Sequence, residues 1–71
     1  MGGGPRMAPR DMVAFNRRMA VLQDNAAAAY ASELSTTRDP RRREKLGELM
    51  RRSKEAAAFH RTEVLRLGGE D

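Results

Sequence analysis

His60 is the only histidine in the chain, and Glu63 follows it three residues later. On a helix that spacing turns an imidazole and a carboxylate toward nearly one side, as two ligands of one metal ion require. Glu33 is a further carboxylate set among apolar neighbours at helical spacing. A metal-binding helical bundle would also need a second carboxylate–histidine set, and the sequence has none. His60 and Glu63 are therefore weak metal candidates, and a histidine hydrogen-bonded across a helix contact is the plainer reading. No cofactor is expected. Nucleophilic catalysis has even less to work with. Ser32, Ser35 and Ser53 lack a base and an orienting group in sequence context. Gly2-Gly3-Gly4 neither follows a strand nor opens directly into a helix, as a phosphate-cradling loop does. The chain reads as a non-enzyme.

A second constellation is basic. Arg38, Arg41, Arg42, Arg43, Lys45, Arg51, Arg52 and Lys54 crowd a short span, only partly offset by Asp39, Glu44 and Glu48. Arg41, Lys45 and Arg52 share one helical stripe, a geometry that can present guanidinium groups to phosphates. Nucleic acid, alone or in a ribonucleoprotein, is thus the alternative partner. Several features of known readers are missing: an attached zipper, a third supporting helix, and aromatic side chains interleaved with the cationic ones. Glu44 and Glu48 interleave with this stretch, Glu48 lying three and four residues before Arg51 and Arg52, so local ion pairs along a solvated face account for the same residues.

Two elements must position these groups. From Met12 the apolar residues alternate by three and four: Met12, Phe15, Met19, Leu22, Ala26, Ala29, then Glu33, with Tyr30 and Leu34 alongside. This is the seam of an amphipathic helix. Pro9 suits its first turn and Asp11 complements its dipole. The spacing predicts a helix over about 9–34, about 39 Å long. Ser35-Thr36-Thr37-Arg38-Asp39-Pro40 interrupts it, with Asp39 and Pro40 placed as N-cap and first helical residue of a second helix. That helix spans about 40–67. Its seam is Leu46, Met50, Ser53, Ala57, His60, Val64 and Leu67, flanked by Leu49, Ala56, Phe59 and Leu65. Gly68-Gly69 ends it. Gly47 is either a close-packing site or a tolerated glycine. Residues 1–8 read as a Gly/Pro tail, and 68–71 as cap and tail.

A connection of about five residues between long helices gives antiparallel neighbours. The fold expected is all-α, a helical hairpin in residues 9–67. With the turn centred near Arg38, facing residue numbers sum to about 77, so His60 faces the region of Arg17 and Glu33 faces Glu44. These are opposite ends of the hairpin, which argues against an intrachain metal site.

A chain of 71 residues with no cysteine is a single small domain without disulfides. Its expected seam is rich in alanine and methionine, which bury little area or adapt to irregular surfaces. Such a hairpin needs cover, either by self-association into a four-helix bundle or by docking on a larger protein. The residues expected to meet a partner are Phe15, Met19, Leu22, Tyr30, Leu46, Leu49, Met50, Phe59 and Val64. The net charge of +4 favours an acidic counterpart. No apolar run is long enough to span a membrane, and the first 23 residues contain no continuous apolar segment of the secretory kind. Arg6 replaces the hydroxyl residue a myristoylation signal requires. The Arg-rich start, with Asp11 its only acid, leaves organelle import open. The expectation is an intracellular protein, soluble or complex-bound, that works by interaction and assembly.

Overall fold

A computed structural model describes residues 9–69. Two helices, α1 (Pro9–Thr36) and α2 (Pro40–Arg66), pack against each other along their length, and no strand occurs among the described residues. The expected tail at 1–8 lies outside the described residues, as do residues 70–71.

α1 runs to Thr36, two residues further than the hydroxyl cluster suggested. The hydroxyls of Ser35, Thr36 and Thr37 bond back to carbonyls one turn earlier, on Ser32 and Glu33. They extend the helix end instead of competing with it. The turn is therefore residues 37–39. Asp39 has extended backbone, and its carboxylate accepts from the Arg41 amide at 3.2 Å, with Pro40 in the first helical turn. This is the N-cap the sequence indicated.

The far end of α2 closes with a double capping turn. Gly68, at φ +85°, donates its amide to the Leu65 carbonyl, and Gly69 donates to the Val64 carbonyl. Only glycine takes that φ without strain. Gly69 also lies against α1. A Cβ there would stand 2.8 Å from the Cγ1 atoms of both Val13 and Val64. The cap thus fastens the end of α2 to the start of α1. Gly47, by contrast, has nothing within 4 Å of an ideal Cβ, so it is tolerated and is not a contact site.

The seam of α2 is the one its spacing predicts. Leu46, Ser53, Ala57 and Val64 are buried, with Met50, His60 and Leu67 half-buried in the same phase. The seam of α1 is not. Its buried residues are Asn16, Ala20 and Ala27, and the half-buried Val13, Gln23, Tyr30 and Leu34 share their phase. That stripe is one residue, about 100° of helix, away from the Met12, Phe15, Met19, Leu22 stripe expected. Phe15 and Leu22 are 46% and 52% exposed. The physical reason is fit. Ala20 and Ala27 are small enough to be buried on the face that meets α2, and Asn16 completes a hydrogen bond with His60. Larger apolar residues in the neighbouring stripe would hold the helices apart. The register shifts as well: Glu33 pairs with Arg42, not Glu44, and His60 meets Asn16, not Arg17.

Candidate functional site

Because α1 turns a mixed, small-residue stripe toward α2, its most apolar stripe is left on one flank of the hairpin. Met12, Met19 and Ala26 line the margin of the seam and are half-buried. Phe15, Leu22 and Ala29 stand one step further out and are exposed. On the same flank α2 contributes Leu49 and Ala56, half-buried, and Phe59, 60% exposed. The result is an apolar strip that crosses from one helix to the other, with Lys45 and Arg52 at its outer margin on α2. Its ends are charged. Near the turn, Arg42 Nη2 donates to Glu33 Oε1 at 2.7 Å. The carboxylate holds the Arg42 guanidinium above its ordinary value through that hydrogen bond and its charge. At the other end Arg66 Nη2 donates to Glu63 Oε1 at 2.9 Å, and this bond holds the Glu63 carboxyl below the usual carboxylate range. The opposite flank is more mixed: Arg61 pairs with Asp24, and Val21 and Leu65 are exposed singly.

Of the residues expected to meet a partner, Leu46 and Val64 are buried in the hairpin's own seam, and Tyr30 and Met50 lie half-buried beside them. Phe15, Met19, Leu22, Leu49 and Phe59 gather on the open flank. The residues expected on one surface therefore divide between two surfaces of the fold.

At the polar centre of the seam, His60 makes the cross-helix hydrogen bond expected of it, but its partner, Asn16, was missed. Asn16 Nδ2 donates to the Met12 carbonyl at 2.9 Å, which turns Oδ1 toward His60 Nδ1, 2.7 Å away. An amide oxygen only accepts, so Nδ1 carries the proton. The clue was available: Asn16 is in phase with Ala20, Gln23 and Ala27 at the spacing of four and three.

This bond also commits one nitrogen of His60. Glu63 is engaged by Arg66, and Glu33 lies at the turn end beside Arg42. Among the described residues no group of three His, Asp or Glu side chains could hold a metal ion. Two shallow grooves of roughly 230 and 350 Å³ lie on the other flank and at the capped end. They sit near the lower limit of ordinary ligand pockets, and neither gathers an acid–base pair.

The basic stretch divides in two. Arg42 pairs with Glu33, and Arg52 with Glu48. Arg43 Nη1 donates to the carbonyls of Leu34, at 2.9 Å, and Thr37, at 2.8 Å, and so holds the end of α1. The side chains of Arg38, Arg41, Lys45, Arg51 and Lys54 are exposed and make no hydrogen bond or ion pair among the described residues.

The chain matches no protein-family model, no curated protein and no solved structure. Neither described helix is long and apolar enough to cross a membrane.

Proposed function

We propose that this is a non-enzymatic interaction protein, a small helical unit that assembles with protein through its open apolar flank. One observation carries the reading: Phe15, Leu22 and Phe59, the large apolar side chains left exposed on a single flank, adjoin Met19, Leu49 and Ala56 in one strip. Scattered surface apolar residues are ordinary, but large apolar side chains gathered on one flank of two helices are a mark of an interface. The strip's charged ends and apolar middle follow the usual division between interface rim and core.

The test is Leu22→Asp. Leu22 lies outside the hairpin's own seam, so the variant should stay helical by circular dichroism and lose its assembly partner in sedimentation. An intact wild-type chain that sediments alone as a monomer, at high concentration and when recovered from its native source after cross-linking, would overturn the reading.

The unpaired Arg38, Arg41, Lys45, Arg51 and Lys54 favour a second reading, attachment to nucleic acid. Replacing the last four with Gln should then weaken binding and flatten its salt dependence. Unchanged binding with an unchanged salt slope would dismiss it.

A further inference from the structure

We infer that the occupant of the open flank is a second copy of this chain, related by a two-fold axis parallel to the helices, with α1 of each copy lying on α2 of the other. This rests on the reading of the flank as a protein-docking surface.

The argument is complementarity at successive levels of the flank. The pair Glu33–Arg42 fixes the level at the turn. Counting seven residues at a time from it places Ala26 level with Leu49, Met19 with Ala56, and Met12 with Glu63. A two-fold axis along the helices keeps each level and exchanges the helices. Leu49 of one copy then falls on Ala26 of the other, and Met19 on Ala56. The two middle levels each present one large and one small side chain, so the doubled layers become a checkerboard, large beside small, which fills space without voids. One step outward, Phe15 meets Phe59 of the second copy. Leu22 meets the aliphatic stem of its Arg52, whose guanidinium is held outward by Glu48. At the turn, Glu33 lies on Arg42 of the second copy, so the two ion pairs close into a ring of alternating sign. No like charges oppose each other along the contact.

The area is sufficient. From Met12 to Glu33 the flank is roughly 32 Å long and two helices, about 20 Å, wide, so both copies together bury about 1,300 Å², within the range of stable interfaces. Every helix in the product has antiparallel neighbours, the up-down-up-down bundle.

The alternative two-fold, perpendicular to the helices, lays α1 on α1 and brings Leu22 close to its own equivalent. Since the chain has no cysteine, introduced thiols distinguish the two. Phe15→Cys and Phe59→Cys chains are mixed, oxidised and analysed by mass spectrometry, beside Leu22→Cys alone. We expect the mixed disulfide between the two variants and little dimer from Leu22→Cys. Sedimentation of the unmodified chain should give twice the chain mass, and Phe59→Asp should raise the dimer Kd at least ~30-fold, as loss of an interface anchor does. Efficient Leu22→Cys dimers without the mixed disulfide would overturn the register. A monomeric chain that binds a different protein, with binding lost in Leu22→Asp, would overturn the second copy while leaving the docking flank standing. A monomer with no partner would remove both.

Discussion

Asn16 and His60 form a polar pair inside the seam, and each depends on the other. Asn16→Ala strands the Nδ1–H of a half-buried ring and should cost ~1–3 kcal/mol, the usual penalty of an orphaned donor. Replacing both residues with Leu removes donor and acceptor together and should be nearly neutral in stability. Urea unfolding of the single and double variants checks this, with a coupling of about 1 kcal/mol expected; strictly additive effects would deny the bond its role. What the double variant should lose is register, because an apolar layer no longer distinguishes one helix offset from another. Gly47 offers the opposite case. Its missing Cβ faces open space, so Gly47→Ala should gain ~1 kcal/mol from helix propensity alone and raise Tm by about 4–8 °C. No gain in thermal denaturation at matched protein concentration would mean that the space around Gly47 is filled.

Between the helices, the turn is held by a side chain from the following element. α1 has no basic residue in its last turn, and its terminal carbonyls are met by Arg43 from α2. A cation there both fills acceptors and opposes the helix dipole. Arg43→Gln should therefore cost ~1 kcal/mol and speed amide hydrogen exchange in the last turn of α1. Arg52→Gln, which loses only an exposed pair on its own helix, should leave that exchange unchanged. Equal effects would mean that Arg43 acts through net charge. The two elements were not equally readable. The Asp39-Pro40 start, the Gly68 end and the seam of α2 follow from local chemistry and one apolar stripe, and all three appear in the fold. In α1 two stripes lie one residue apart, and counting apolar residues selects Met12, Phe15, Met19 and Leu22. Which stripe meets α2 is decided by the fit of Ala20 and Ala27 against α2 and by the Asn16–His60 bond, neither of which is a property of α1 alone. The same ambiguity blurred the candidate site. Phe15, Met19, Leu22, Leu49 and Phe59 of the open flank were grouped with Leu46 and Val64 of the hairpin's own seam.

At the scale of the whole molecule, the hairpin has one satisfied contact and one open flank, and its stability should reflect both. If assembly through the flank is linked to folding, Tm should rise with protein concentration. Leu22→Asp should abolish that rise while retaining the helix signal. A concentration-independent Tm in the wild type would uncouple assembly from folding. The closure at Gly69 carries a different consequence. Because Gly69 rests on Val13, the described segment starts and finishes at one pole, with the Arg43-held turn at the other. Covalent continuity through the turn is therefore only one way of wiring this pair of helices. A circular permutant, with a short bridge joining the two ends and a new break between Thr37 and Arg38, would keep the Asp39 cap, the Arg43 clamp and the whole seam. The hairpin is better regarded as a helix pair closed at both poles than as a strand of chain doubled over at one.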